Sequence, residues 1–397
     1  MWRLQHRRSD PCFVDEPMRR RPAGRLRRSG ARVTTVRMSA RLARIVVPLV
    51  GILLVGACAR AVPTSGSPAL SATTPASPVT SSAPIAPRPV GEVPPILIDT
   101  DVAPDDLVAI AFLVESGVHI EAISVSGTGE AHCPDGVDVV LRLLERLEAP
   151  SIDVACGRQT PIAGDHAFPD AWRAAVDDGS GLALPETSRH AFAGDAVQLI
   201  TATADRVNGL RILTLGPLTN LADALSSQPD LAGQIESVYA MGGALFVPGN
   251  VAFAGPADNE VAEWNVYVDP TSLQAVIDAG LVIRLVSLDG TNQVPVTSAF
   301  AERVRTEASG PGALVLAELF EGHPFMTDGS YFLWDPLAAA LAAGYPLGSF
   351  TAARVDVEEA EGPEVGFTRP VDGTPNVEYL SEADQAAAEA TLLDVLN

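Results

Sequence analysis

From residue 94 onward, short apolar runs alternate with longer amphipathic stretches. The runs at 96–99, 120–125, 152–155, 210–215, 237–241 and 281–288 are rich in Ile, Val and Leu and are bounded by turn residues, as strands covered on both faces are. Between them, 105–115, 137–147, 196–207 and 271–279 repeat apolar residues at helical spacing. This alternation predicts an α/β fold with a doubly wound, mostly parallel sheet in a single large domain, 94–397. Ligands of such sheets bind beyond the carboxyl ends of the strands, so the residues that follow each run are where chemistry belongs.

A different pattern precedes this domain. Residues 45–57, IVVPLVGILLVGA, are apolar throughout, preceded by Arg41 and Arg44 and followed by Cys58. The run is too short to span a bilayer and reads as the core of a signal peptide. Val55-Gly56-Ala57-Cys58 resembles the bacterial lipobox, which implies a diacylglycerol anchor on Cys58 and an extracytoplasmic protein tethered to the cell membrane. Residues 1–58 are therefore expected to be a leader and lipoprotein signal peptide, and the Arg-rich 1–37 makes Met38 the expected start. Residues 59–93 are dominated by Ser, Thr, Pro and Ala, bury too little apolar surface to fold, and read as a disordered tether.

Charge divides along the same boundary. Residues 1–58 hold 13 of the 27 basic side chains and three acids, which leaves 14 basic against 46 acidic residues in the remainder. Such an acidic body lacks the basic clusters that nucleic acid requires. The chain has no lysine, which excludes Schiff-base chemistry and the P-loop lysine. Of the four cysteines, Cys12 belongs to the leader and Cys58 to the lipid site; outside the cytoplasm the remaining Cys133 and Cys156 most simply pair as a disulfide.

Candidate chemistry is concentrated at the end of the first run, in Asp99-Thr100-Asp101-Val102-Ala103-Pro104-Asp105-Asp106. Helix N-capping accounts for Asp105 or Asp106 but not for Asp99 and Asp101 at a strand end. Four carboxylates this close repel one another unless a cation neutralises them, and hard oxygen donors without nearby His or Cys suit Ca²⁺ or Mg²⁺.

This segment resembles the Asp-x-Asp-Pro-Gly-x-Asp-Asp signature of the inosine-uridine preferring nucleoside hydrolases, with Val102-Ala103 in place of Pro-Gly. Three further segments resemble the family in the same order: Gly216-Pro217-Leu218-Thr219-Asn220; Met241-Gly242-Gly243 through Gly249-Asn250 to Glu263-Trp264-Asn265; and Trp334-Asp335-Pro336. The resemblance spans about residues 95–395 and implies hydrolysis of the N-glycosidic bond of ribonucleosides, with Ca²⁺ as cofactor. By it, Asp101 is the general base, Asp101, Asp106, the Leu215 carbonyl and Asp335 hold the metal, and Asp99 supports the loop. Asp105, Asn250, Glu263 and Asn265 contact the ribose. A small-molecule riboside is the implied substrate, and a homo-oligomer is compatible with the family.

Several residues depart from the family pattern. Trp334 stands where some relatives carry His; it is either core packing or a face on which a purine stacks, and the second reading favours purine ribosides. Gly127-Thr128-Gly129-Glu130-Ala131-His132 replaces the usual Gly-Asn, and Asp177-Asp178-Gly179-Ser180-Gly181 lacks a frequent His. Glu130, His132, His166 and His323 are the candidates left for the leaving-group acid. Two rival functions stand beside hydrolysis. A riboside-binding lipoprotein for nucleoside uptake has no use for a base beside a metal. An aspartyl-phosphate phosphatase usually adds the absent lysine.

Overall fold

Every residue of β1 (Ile96–Thr100) is buried, because helices cover both faces of the sheet. Side chains alternate across it: Ile96 and Ile98 enter one apolar core and Leu97 the other. The structure, a computed structural model, describes Pro89 and residues 91–397. The expected leader 1–58, its Cys58 and nearly all of the tether 59–93 lie outside the described residues. Among the described residues, no helix is long and apolar enough to cross a membrane.

The strands after β1 are β2 (Ile120–Val125), β3 (Asp153–Cys156), β4 (Leu210–Thr214), β5 (Ile235–Met241) and β6 (Ile283–Val286). Then come β7 (Gly348–Ala353), β8 (Val355–Val357), β9 (Thr368–Pro370) and β10 (Val377–Ala383). The main sheet runs β3-β2-β1-β4-β5-β6-β10-β7 and is parallel except where β7 runs against β10, while β8 and β9 pair as a separate antiparallel ribbon. The chain leaves β1 in one direction for β2 and β3 and returns beside it for β4 through β6. The carboxyl ends of β1 and β4 therefore flank the crevice where a doubly wound sheet binds ligands.

The helices are α1 (Pro104–Glu115), α2 (Cys133–Arg146), α3 (Asp170–Asp177), α4 (Ala196–Arg206), α5 (Thr219–Ser227) and α6 (Trp264–Val268). They continue with α7 (Pro270–Asp278), α8 (Leu288–Thr291), α9 (Ser298–Glu307), α10 (Pro311–Gly322), α11 (Trp334–Ala342) and α12 (Gln385–Leu396). One core is filled from α1, α2, α10, α11 and α12, the other from α4, α5 and α7. Helix α1 is buried from Asp105 to Leu113, so its first turn places two carboxylates inside the protein.

The expected fold class stands, with two local differences. The apolar run 281–288 is shared between β6 and the first residue of α8, since Ser287 turns the chain and only four residues pair with β5. The pair β7–β10 at the sheet's edge carries mixed polar and apolar residues with only Val377 and Leu380 buried, so it offers no apolar run to read.

Candidate active site

Where β1 ends, the chain turns sharply: Val102 takes φ 67°, a left-handed conformation that a β-branched residue rarely adopts. The family's Pro could not take it, because the proline ring fixes φ near −65°. The turn here is thus a different one. The Val102 N–H donates to the Thr100 hydroxyl at 3.0 Å and to Asp106 Oδ1 at 3.3 Å, and Pro104 then opens α1.

Asp106 Oδ1 also accepts from the Asp101 N–H at 3.1 Å and from the Thr100 hydroxyl. That oxygen is saturated, whereas Asp106 Oδ2 is buried with no partner. Asp335, in the first turn of α11, likewise has a buried, unpartnered Oδ1. Asp105, Asp106 and Asp335 each bring an oxygen within 4.8 Å of the others, and among the described residues they are the one group of three or more potential metal ligands so close. Orphaned buried oxygens facing one another are costly without a cation, and the oxygen-only donor set fits a hard divalent ion.

Asp101 stands beside this trio. Its Oδ2 accepts the Glu130 N–H at 3.1 Å. Two glycines make room for it: a Cβ on Gly129 would come within 2.2 Å of the Asp101 side chain, and one on Gly216 within 2.7 Å. Asp99, two residues back in β1, is held through Oδ1 by Ser124 at 2.6 Å and Asn220 at 2.8 Å. The Leu215 carbonyl, at the end of β4, accepts from Asn265 Nδ2 at 2.8 Å, which leaves its second lone pair for another partner.

These carboxyls titrate abnormally. Burial, then repulsion from Asp106, Glu130 and Asp105, holds Asp101 well above the usual carboxylate range. Asp335 is raised well above it by burial and by Asp106 and Asp105. Burial and Asp106 bring Asp105 to about 7, while burial with Asp105 and Asp106 brings Glu130 to about 8. Burial outweighs two side-chain hydrogen bonds to put Asp99 at about 7. Without a counter-charge, the acids here are poised to stay protonated.

The residues after β5 that are expected to contact the sugar, Asn250, Glu263 and Asn265, each have a structural duty. Glu263 caps α6: its oxygens accept from the N–H groups of Asn265 and Gly243 at 3.0 Å and Val266 at 3.3 Å. Burial nevertheless raises its carboxyl to about 6. Asn250 Oδ1 takes the Trp264 N–H at 3.0 Å, so its Nδ2 remains to donate. Asn265 spends Nδ2 on the Leu215 and Met241 carbonyls, so its Oδ1 remains to accept.

The candidate acids separate. Glu130 faces the cluster. His132 is half exposed and pairs with Asp177 at 2.6 Å. His166 stacks on Tyr267 and reaches Glu361, and His323 bonds the Leu319 carbonyl at the end of α10. Trp334 is partly buried against the core, edge-on to Tyr331 at 4.6 Å, with its Nε1 unpartnered. Cys133, opening α2, is joined to Cys156, ending β3, by a disulfide with Cα atoms 5.4 Å apart.

Sequence reasoning overlooked three features. The Thr100 hydroxyl binds Asp106. A buried chain of Ser126, Thr128, Thr219 and Asp269 backs the site with bonds of 2.7, 3.0 and 2.7 Å. Tyr331 donates its hydroxyl to Asp105 Oδ1 at 2.8 Å. Thr100 and Thr219 lie inside the recognised motifs, but no pattern marked Tyr331.

Comparison with known proteins gives this geometry its context. Residues 96–390 match the inosine-uridine preferring nucleoside hydrolase family. The pyrimidine-specific ribonucleoside hydrolase RihA of Salmonella typhi is 34% identical over 232 residues, covering 57% of this chain and 70% of that protein. The inosine-uridine preferring nucleoside hydrolase of Bacillus anthracis superposes with a TM-score of 0.67 at 25% identity, over 76% of this chain and 99% of that one. The fold is shared with a plant nucleoside hydrolase, PpNRh1, at a TM-score of 0.68 and 24% identity over 77% of this chain and 99% of that one. It is also shared with the purine-preferring ribonucleoside hydrolase of Gardnerella vaginalis, at 0.64 and 23% over 76% and 98%. With a matching family pattern over nearly all of the folded domain, the chain belongs to the inosine-uridine preferring nucleoside hydrolases and is a hydrolase of N-ribosyl bonds.

Proposed function

We propose that this hydrolase is calcium-dependent, favours purine ribosides and works from the outer face of a membrane. The observation that carries the calcium reading is the buried trio Asp105, Asp106 and Asp335 with unpartnered oxygens on two of its members. Asp101, Asp106, Asp335 and the Leu215 carbonyl are the residues that would hold the ion. Bound there, the ion would supply the charge that keeps these carboxylates ionised and would make a nearby water more acidic.

Asp101, its Oδ2 anchored by the Glu130 amide, then takes the proton of the attacking water. Cleavage builds positive charge on the ribose ring, and the surrounding carboxylates stabilise it. Asp105, Asn250, Glu263 and Asn265 grip the sugar, where Asn250 has a donor and Asn265 an acceptor uncommitted. Trp334 supports the purine preference by offering an aromatic face one residue from Asp335. A pyrimidine preference is the second reading, supported by the identity to RihA.

A screen of ribosides for release of reducing sugar, with and without chelator, tests these readings together. The expected result is inosine cleaved faster than uridine and activity abolished by chelation. Full activity in metal-stripped protein overturns the calcium reading, and uridine ahead of inosine overturns the purine one. Anchoring rests on the 45–58 segment alone. Cys58→Ser should release the protein from the membrane fraction, and an unchanged distribution would sink that proposal.

A further inference from the structure

Asp105 lies close enough to Asp106 and Asp335 to join them around a cation, yet the sugar needs it as an acceptor. Tyr331 resolves this conflict. Its hydroxyl donates to Asp105 Oδ1 at 2.8 Å, which ties that oxygen to a neutral partner and fixes the plane of the carboxylate. The tyrosine is itself well held. Its carbonyl accepts the Val296 N–H at 2.7 Å, Leu333 N–H donates to Val294 at 3.0 Å, and Phe332 bridges to Pro295. Its ring stands edge-on to Trp334 at 4.6 Å and to Phe325 at 5.9 Å.

We infer that Tyr331 is a positioning residue whose hydroxyl reserves Asp105 for the 2′-hydroxyl of the sugar, and so sets the preference for ribose over 2-deoxyribose. The inference deepens the proposed function, since it rests on Asp105 contacting the sugar. A hydroxyl missing from the ligand leaves a fixed, buried carboxylate oxygen unpaired, which a site built to bond that hydroxyl penalises heavily. A carboxylate released by loss of Tyr331 no longer holds an oxygen on the 2′-hydroxyl, so ribose loses a contact that 2-deoxyribose never makes.

The test uses the full, metal-loaded protein and two sugars as competitive inhibitors of nucleoside cleavage. Tyr331→Phe keeps the ring and removes the hydroxyl. It should lower kcat/KM for the preferred ribonucleoside about 10-fold, the order expected for one hydrogen bond to a charged group. Inhibition by D-ribose should weaken by a similar factor, while inhibition by 2-deoxy-D-ribose, the melting temperature and Ca²⁺ affinity stay at the parent values. Phe325→Ala, which removes a ring contact but no hydroxyl, should retain the sugar preference. Equal weakening for both sugars, no weakening, a parent without ribose preference, or a Phe325→Ala variant that loses the preference as fully as Tyr331→Phe would each overturn the inference. The calcium and purine readings fail through chelator resistance or base preference, neither of which alters the ratio between the two sugars.

Discussion

At the scale of single residues, the site depends on atoms that neighbours have left unengaged. Asp101 is cradled by two glycines and anchored through one backbone amide, so Asp101→Asn should fold while losing the base. Turnover should fall by about 100- to 10,000-fold, the usual contribution of a general base. A variant within a few-fold of the parent in ribose release would place the base elsewhere. Val102 offers a sharper check on the turn. With φ at 67° it occupies a conformation closed to proline, so Val102→Pro, although it restores the family's residue, should displace Asp101 and abolish activity. A fully active Val102→Pro enzyme would show that the turn readily adopts the alternative path.

Among the elements, the segment that opens α11 carries the most consequences for specificity. It delivers Asp335 to the cluster, Tyr331 to Asp105, and Trp334 beside both. Trp334→Ala should lose purine activity by about 10-fold or less through kcat/KM, since an aromatic contact contributes about 0.5–1.5 kcal/mol beyond burial. Uridine cleavage should change less. Equal losses for inosine and uridine would return Trp334 to core packing, a role its contacts with Tyr331, Phe332 and the apolar core already support. The loop between β2 and α2 matters for another reason: it carries Gly129 and Glu130 to Asp101 and is pinned at its end by the Cys133–Cys156 disulfide.

For the molecule as a whole, the buried acids tie stability to metal and pH. Asp99 and Asp105 rise from an ordinary 3.8 to about 7 in the folded protein. Between about pH 4 and 7 the folded state therefore binds more protons than the unfolded state, and its stability falls as pH rises through that window. Chelated protein should melt at a lower temperature at pH 8 than at pH 5, and Ca²⁺ should raise the pH 8 value most. Micromolar calcium leaves the acidic surface nearly unscreened, so its effect reports on the site. Chelated protein as stable at pH 8 as at pH 5, or melting that ignores calcium, would contradict this linkage.

The sequence by itself determined the parallel sheet and the carboxylate set. Strands buried on both faces must be written as apolar runs, and the acids Asp99, Asp101, Asp105 and Asp106 fall close together where β1 passes into α1, so their spacing is local. Asp335 lies far along the chain and was readable only through the resemblance of Trp334-Asp335-Pro336 to the family's segment. Tertiary structure alone decided which departures from the family face the site. Glu130 and His132 are two residues apart, yet one turns to the cluster and the other to Asp177. Tyr331 reaches Asp105 across 226 positions of chain, a contact that no periodicity encodes. The edge strand β7 and its neighbour β10 escaped notice for a related reason: strands this open to water need no apolar run, and the place of β10 beside β6 follows from the packing of the completed sheet.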